Sequence, residues 1–260
     1  MHAINKIKSI LKPTLFRIII PLHYFITKTI NAHGAYFCPV CENNVRQFLP
    51  AGSPPRLNAK CPMCGSLERH RLDWFFFIKA TDLFDKSRKR MLHIAPEKFF
   101  SERLHKLEYL NYLSADKSNP NAMVQMDITS INYPDNFFHV IYCSHVLEHI
   151  PDDRKAISEL YRVLCQDGWA LLQVPVTADE TYEDPSIIDP KERISHFGQW
   201  DHVRRCGPDY AERIKNVGFV VQVLRANELL SQADCARMGF EANMLVFFCR
   251  KTSLTPSEQG

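Results

Sequence analysis

Residues 137–151, FFHVIYCSHVLEHIP, constrain the fold of this chain more than any other stretch. Residues 138–143 form an apolar run of β-branched and aromatic side chains, which predicts a strand buried on both faces of a sheet. The run ends at Ser144, and apolar residues recur at helical spacing over residues 153–164. A buried strand that ends in polar residues and leads into a helix is typical of the ligand-binding carboxyl edge of an open α/β sheet.

Strand and helix patterns alternate on both sides of this stretch, which predicts a parallel, doubly wound sheet. The last two predicted strands follow a helix at residues 207–218, and they are able to pair in antiparallel fashion. The predicted strands lie at residues 90–94, 111–115, 123–126, 138–143, 168–174, 219–225 and 243–250.

The composition fits one α/β domain with smaller additions. The chain has 260 residues, of which 45% are hydrophobic, so it can form a domain of about 150–200 residues and a small module. A net charge of +3 is too small to indicate a nucleic-acid partner. The chain has nine cysteines, and most are scattered rather than arranged as a disulfide framework. This usage predicts a reducing compartment and a cytoplasmic protein.

Residues 4–26 carry the pattern of a basic amphipathic helix, interrupted near Pro13 and Pro21. Its uninterrupted apolar run is far shorter than the roughly 20 residues that a membrane-spanning helix needs. Arg17 and Pro21 also interrupt the apolar region that a signal peptide requires. Two interpretations stay open. The helix packs on the protein or a partner chain, or it lies on anionic lipid at the inner face of the membrane.

Two C-x-x-C pairs form the strongest local motif, and their separation is typical of a four-thiolate zinc site. Disulfides and a redox dithiol are less favoured, because no βαβ pattern surrounds the pairs. Thiolates would fill all four coordination positions, so we predict a structural zinc in a small zinc ribbon. Gly65 is expected to relieve a tight turn beside the second pair. The predicted ligands are Cys38, Cys41, Cys61 and Cys64.

Acidic residues follow the second and third strands of the predicted sheet. A carboxylate about 20 residues after the first strand commonly binds the ribose hydroxyls of a nucleotide. Asp116 is placed for that role, and Asp127 with Ile128 is placed to contact an adenine. Each aspartate alone could belong to a surface turn, but their shared register with the strand ends favours a nucleotide ligand.

These features resemble the class I S-adenosylmethionine-dependent methyltransferases, specifically the methyltransferase type 11 group, over roughly residues 88–225. The resemblance is carried by Asp116, by Asp127 with Ile128, and by the blocks HVIYCSHVLEHIPDD and ELYRVLCQDGWALLQVP. The runs LHIAPE and DHVR, with the two C-x-x-C pairs, resemble a bacterial subset that has an N-terminal zinc ribbon. The resemblance implies a Rossmann-like, seven-stranded sheet that binds S-adenosylmethionine over its first four strands.

The resemblance also implies a role for each strand end. Asp116 would hold the ribose, Asp127 and Ile128 would contact the adenine, and residues 143–145 would lie under the cofactor. The first loop would supply further contacts. The implied cofactor-binding residues are His93, Ala95, Glu97, Asp116, Asp127, Ile128, Cys143, Ser144 and His145.

The first loop, residues 92–97, departs from the family because it has no glycine. Glycines let the backbone approach a ligand closely, and Ala95 serves only partly in their place. One interpretation is that His93 and Glu97 replace the usual polar contacts, with Glu97 meeting the cofactor's ammonium group. The alternative is a degenerate site, which would make the chain a catalytically inactive zinc-ribbon binding protein. Polar residues at the other strand ends favour the enzyme.

His145, Glu148 and His149 spell H-x-x-E-H, the inverted metalloprotease motif. That chemistry needs both histidines on one continuous helix. His145 directly follows a buried strand, and Pro151 indicates that the regular helix begins only there, so the protease interpretation is disfavoured. The interpretation that Glu148 and His149 bind a metal ion stays open.

Residues 176–207 form a long, initially acidic insertion, which predicts a lid or substrate loop. The second half of the insertion is either a hydrogen-bonded corner that fixes the loop or the part that closes the pocket of the methyl acceptor. Methyl transfer depends mainly on positioning, and it needs a base only when the acceptor keeps its proton. His149 and His202 are the candidate bases, and Arg204 is the candidate for positioning an anionic acceptor, whose identity the sequence does not give.

The predicted organisation places the enzyme domain in the second half of the chain. The amphipathic arm comes first, then the zinc ribbon, a helical linker, the methyltransferase domain with its insertion, and a short tail. These parts cover residues 1–34, 35–66, 67–87, 88–252 and 253–260.

Overall fold

The computed structural model describes residues 27–30 and 34–252. Most of the predicted N-terminal arm, including its membrane contact at residues 4–26, lies outside the described residues, as does the tail. Among the described residues, no helix has both the length and the apolar character needed to cross a bilayer.

The described strands and helices are short and closely spaced, and from β5 to β9 they follow the predicted alternation. The strands are β1 (Tyr36–Cys38), β2 (Asn43–Val45), β3 (Leu49–Ala51), β4 (Arg56–Lys60), β5 (Lys89–Ile94), β6 (Leu110–Asp116), β7 (Val124–Gln125), β8 (Phe138–Ser144), β9 (Leu164–Gln173), β10 (Tyr182–Glu183), β11 (Arg204–Arg205), β12 (Val220–Arg225) and β13 (Leu245–Arg250). The helices are α1 (Glu68–Ala80), α2 (Lys98–Leu104), α3 (Asp153–Val163), α4 (Pro190–Phe197), α5 (Tyr210–Lys215), α6 (Ala226–Leu229) and α7 (Gln232–Arg237).

The chain divides into two compact units. Among the described residues, the first unit comprises residues 27–30, 34–76 and 230–242, and the second comprises residues 77–229 and 243–252. In the first unit, β1 pairs with β2 and β3 pairs with β4, both in antiparallel fashion. The sequence did not indicate that residues 230–242 would join this unit, and the domain boundaries given above stay predictions.

The second unit contains a seven-stranded sheet with the order β12-β13-β9-β8-β5-β6-β7. Strands β5 to β9 pair in parallel, whereas β13 is antiparallel to both β9 and β12. The prediction of a mostly parallel, Rossmann-like sheet of seven strands is therefore confirmed, including its antiparallel closing pair. Because β8 lies between β5 and β9, the stretch that most constrained the fold occupies the middle of the sheet.

Helix α3 begins where the sequence indicated. Asp152 caps it by accepting a hydrogen bond from the backbone N–H of Lys155, at 3.0 Å. Such a cap satisfies one of the free amide groups at a helix start and stabilises it by about 1 kcal/mol. The apolar face of the helix is buried in the core of the sheet through Ala156, Ile157, Leu160 and Val163.

The predicted insertion has regular structure of its own. Strand β10 pairs with β11, so the two ends of the insertion are joined. Helix α4 lies between them, with Asp189 as its cap and Pro190 in its first turn. Pro190 suits that place because its missing N–H would have no partner there.

Candidate functional site

Two turns at the carboxyl edge of the sheet pass through residues with positive φ. Ala95 follows β5 with a φ of 50°, and His145 follows β8 with a φ of 55°. The neighbouring strands hold both turns, since the N–H of Ala95 bonds to the carbonyl of Ala115 and that of His145 to the carbonyl of Gln173. Residues other than glycine adopt this conformation at a cost of about 1 kcal/mol or more, and such strain clusters at ligand sites. The glycine-free first loop therefore makes a left-handed turn with an alanine.

Glu97 is held in place by a buried hydrogen-bond chain. Its Oε2 lies 2.9 Å from Nε2 of His93, and Nδ1 of His93 lies 2.8 Å from the hydroxyl of Tyr112. A carboxylate only accepts, so His93 donates through Nε2. Burial raises the pKa of Tyr112, which therefore keeps its proton, and Ser101 lies 2.8 Å from the same hydroxyl.

The direct cofactor contact expected for His93 is not supported, because its side chain is completely buried. Both ring nitrogens are within hydrogen-bond distance of protein groups, one of them Glu97. The physical reason is the position of His93 inside β5, where the side chain points into the packed layer beneath the loop. His93 orients Glu97, and Glu97 is the residue at the edge.

Asp116 ends β6 with its carboxylate already oriented. Oδ1 accepts hydrogen bonds from the backbone N–H groups of Ser118 and Asn119, at 2.7 and 2.8 Å. The N–H of Met126 bonds to the carbonyl of Asp116 at 3.0 Å, which joins the ends of β6 and β7. A carboxylate fixed in this way can accept from ligand hydroxyls without losing further side-chain freedom.

Asp127 has partners on both carboxylate oxygens. Oδ2 lies 2.9 Å from Nζ of Lys117, and Oδ1 accepts from the N–H and the hydroxyl of Thr129. These contacts, with Lys117 the largest, lower the pKa of Asp127 to about 2. The neighbouring Ile128 is only 4% exposed and belongs to the hydrophobic core, so little of its side chain faces a ligand.

The end of β8 presents one unpartnered polar group. The hydroxyl of Ser144 is buried, and among the described residues it has no hydrogen-bond partner. Buried polar groups are nearly always paired, so such a group marks a place where a ligand atom or water can bind. The thiol of the adjacent Cys143 is completely buried in the core, and burial raises its pKa. The side chain of Cys143 therefore does not face the edge, contrary to its expected contact.

Glu148 lies at the centre of a histidine cluster just beyond Ser144. Its side chain is 1% exposed, and Oε1 lies 3.3 Å from Nδ1 of His145 and 3.9 Å from Nε2 of His149. Burial tends to raise the pKa of Glu148, but the two histidines outweigh it and lower the pKa. The ring of His149 meets that of His202 edge to face, with centroids 4.7 Å apart. The structure thus brings both candidate bases together.

The protease interpretation of H-x-x-E-H does not fit this geometry. Leu147–His149 forms a single 3₁₀ turn, and the regular helix α3 begins at Asp153. His145 precedes that turn in a left-handed conformation, so the two histidines do not share one continuous helix.

Arg204 does not face an acceptor. It is 2% exposed, and each guanidinium nitrogen donates to the protein. Nε donates to Glu183 at 3.0 Å, Nη1 donates to the carbonyls of Leu147 and Ile150, and Nη2 donates to that of Pro151. The expected contact with an anionic acceptor is therefore wrong. Arg204 instead fastens the end of the insertion to the turn after β8.

The four motif cysteines of the first unit lie in one cluster. Sγ of Cys38 is 3.7 Å from that of Cys64, and Sγ of Cys41 is 3.8 Å from that of Cys61. These distances are far too long for disulfides. A tetrahedron of sulfur atoms about 2.3 Å from a zinc ion has edges of about 3.8 Å, so the cluster fits zinc.

Two residues that the sequence did not connect with the cysteines support this cluster. The hydroxyl of Ser66 lies 3.3 Å from Sγ of Cys38 and 3.1 Å from that of Cys64. Arg71 is fully buried and stacks over the ring of Phe48. The predicted turn at Gly65 is confirmed by its φ of 83°. The guanidinium of Arg71 donates to the backbone carbonyls of Asn58, Ala59, Ser66, Met238 and Gly239.

The sheet and its carboxylate-bearing edge define a Rossmann-like α/β fold. Residues 90–172 match a family model described as "Methyltransferase domain". The chain is also 30% identical over 99 residues to the "Uncharacterized methyltransferase YcgJ" of Bacillus subtilis (strain 168), an alignment that covers 38% of each protein. The chain therefore spans well under half the length of this curated relative.

Solved structures with a similar fold include two methyltransferase-type proteins. The YcgJ protein of Bacillus subtilis is 14% identical, with a TM-score of 0.45 over 71% of this chain and 100% of that one. The 1,6-didemethyltoxoflavin-N1-methyltransferase of Burkholderia thailandensis was solved with 1,6-didemethyltoxoflavin and S-adenosylhomocysteine. It is 14% identical, with a TM-score of 0.48 over 70% of this chain and 78% of that one.

Proposed function

We propose that this protein is an S-adenosylmethionine-dependent methyltransferase whose cofactor lies across the carboxyl ends of β5, β6, β7 and β8. The observation that carries the proposal is the set of oriented acceptors at this edge. Glu97 is held by His93, and Asp116 is held by backbone amides. Oriented acceptors at the strand ends of an open α/β sheet suit a nucleoside ligand. The match of residues 90–172 to the methyltransferase model supports the same assignment.

Each polar group suits one part of the cofactor. Glu97 would accept from the ammonium group, and Asp116 would accept from the two ribose hydroxyls. Asp127 would accept from the adenine amine once Lys117, which is largely exposed, moves away. The buried hydroxyl of Ser144 would bond to a polar group of the bound ligands.

The cofactor supplies a methyl group on a positively charged sulfur, and this chain supplies the position of the reactants. In-line displacement requires the attacking atom to be held close to that methyl group, which is where most of the catalysis arises. The insertion at residues 176–207 would cover the acceptor and exclude water. Pairing of β10 with β11 and the contacts of Arg204 hold this insertion at its two ends. The acceptor itself is unidentified.

We also propose that the four cysteines bind a structural zinc ion. Support comes from the sulfur separations, which match tetrahedral zinc, and from Ser66, whose hydroxyl can donate to the sulfurs. Because thiolates fill all four positions, the ion would stabilise the first unit without taking part in chemistry.

A transfer assay tests the activity. The purified full-length protein is incubated with cofactor labelled on its methyl group and with fractionated extract from its native cells. We expect label to enter one class of acceptor, and we expect Asp116→Ala to abolish this transfer. Absence of transfer in every fraction, with folded and zinc-loaded protein, would favour the inactive binding protein.

A further inference from the structure

Three side chains at the end of β8 form a cluster that methyl transfer does not explain. Glu148, His149 and His202 each offer one ligand atom, and these atoms all lie within 4.8 Å of one another. Glu148 and His149 come from the turn after β8, whereas His202 comes from the end of the insertion. The N–H of Val203 bonds to the carbonyl of Glu148 at 3.0 Å, which brings His202 to the turn.

Both histidines are oriented in the way that metal ligands are. Nδ1 of His149 lies 3.3 Å from Oδ2 of Asp201, and Nδ1 of His202 lies 3.2 Å from the carbonyl oxygen of Phe197. A carbonyl only accepts, so Nδ1 of His202 carries the proton and its Nε2 keeps a lone pair. The carboxylate of Asp201, at ion-pair distance from Nδ1 of His149, favours the same arrangement in that ring. Histidines that bind metals almost always donate their other ring nitrogen to such an oxygen.

The burial of the Glu148 carboxylate is an independent observation that favours a bound cation. The carboxylate is buried, and neither oxygen makes a hydrogen bond to a described residue. The nearest charged partners of Oε1 are Nδ1 of His145 at 3.3 Å and Nε2 of His149 at 3.9 Å. A buried carboxylate is unfavourable unless cations balance it, and a metal ion bound beside these imidazoles would supply such a charge.

We propose that Glu148, His149 and His202 bind one divalent transition-metal ion, separate from the four-cysteine cluster. Two imidazoles and one carboxylate suit borderline ions such as Zn²⁺, Fe²⁺ and Co²⁺. Three protein ligands leave at least one coordination position for water or another ligand. A nitrogen that binds a metal cannot also take a proton, so this role and the predicted role of base exclude each other for both histidines. The ion would join the end of the insertion to the turn after β8.

A cobalt titration tests the site in the full-length protein. The zinc content is measured first, so that occupancy of the cysteine cluster is known independently. Co²⁺ is then added while visible absorption is recorded. We expect one equivalent to bind with weak ligand-field bands and without the intense charge-transfer band that thiolate ligands produce. His202→Ala and Glu148→Gln are expected to weaken this binding at least tenfold. His196→Ala, an exposed histidine on α4, should leave it unchanged.

Three results would overturn the proposal. The first is no Co²⁺ binding by folded, zinc-loaded protein. The second is binding that shows only the thiolate charge-transfer band, which would mean exchange into the cysteine cluster. The third is undiminished binding by His202→Ala, with its fold verified by circular dichroism. None of these results bears on methyl transfer, because the titration contains no cofactor.

Discussion

At the scale of single residues, the candidate site depends on side chains that are oriented by others. Asp116 was predictable, because its distance from the first strand and its place at a strand end are visible in the sequence. The hydrogen bonds of Glu97 were not predictable, because Tyr112 joins its network only through the pairing of β5 with β6. Arg204 was assigned wrongly, because no local pattern shows that a guanidinium will be enclosed by carbonyl groups.

Glu97→Gln should weaken binding of S-adenosylhomocysteine. The ammonium group of that ligand would lose a charge-assisted hydrogen bond worth about 1.5–3 kcal/mol, which corresponds to a loss of affinity of roughly tenfold or more. Isothermal titration calorimetry measures the change. Glu102→Gln is the matched control, because Glu102 lies on helix α2, which directly follows Glu97, and is 60% exposed. Equal affinity of the two variants for S-adenosylhomocysteine would show that Glu97 does not bind the ligand.

Arg204→Met should destabilise the protein. Its removal leaves buried carbonyls and Glu183 without their donor, which costs about 3–5 kcal/mol in the free energy of unfolding. Urea unfolding followed by circular dichroism measures this cost. The exposed neighbour Arg205, changed to Met, should cost no more than about 1 kcal/mol. Unchanged stability of Arg204→Met would revive the acceptor contact that the sequence suggested.

At the scale of elements, long strands and helices were easier to predict than strands of two or three residues. The buried strand β8 and the helix α3 carry clear periodicity, and both occur close to their predicted places. Strand β7 has only two residues, too few for a periodic pattern. Hydrogen bonds from Arg71 to the carbonyls of Met238 and Gly239 connect residues 230–242 with the rest of the first unit. No local sequence pattern predicts these hydrogen bonds.

Cys64→Ser should remove zinc from the first unit. Three thiolates bind the ion far less tightly than four, and small zinc modules gain most of their folding free energy from the metal. We expect the zinc content to fall by one ion per chain and the amides of β1 to β4 to exchange rapidly with solvent. Cys165→Ser is the control, since Cys165 lies outside the cluster. Slow exchange in metal-free Cys64→Ser would show that the ribbon folds without zinc.

At the scale of the whole molecule, the protein has a cysteine-bearing unit and a unit with a seven-stranded, mostly parallel sheet. The mostly parallel sheet and its antiparallel closing pair could be expected, because strand–helix alternation is visible in the sequence, but the strand order was not predicted. The identity of the acceptor could not be expected in the same way. It depends on the surface that the insertion presents, and that surface is set by contacts between distant parts of the chain.

The binding of S-adenosylhomocysteine to zinc-loaded, full-length protein tests the central claim most directly. Isothermal titration calorimetry should show one molecule bound per chain, and Asp116→Ala should reduce the affinity at least tenfold because the ribose hydroxyls lose their acceptor. Absence of binding by protein that is shown to be folded would contradict the account, because the oriented carboxylates at the edge of the sheet would then hold no nucleoside.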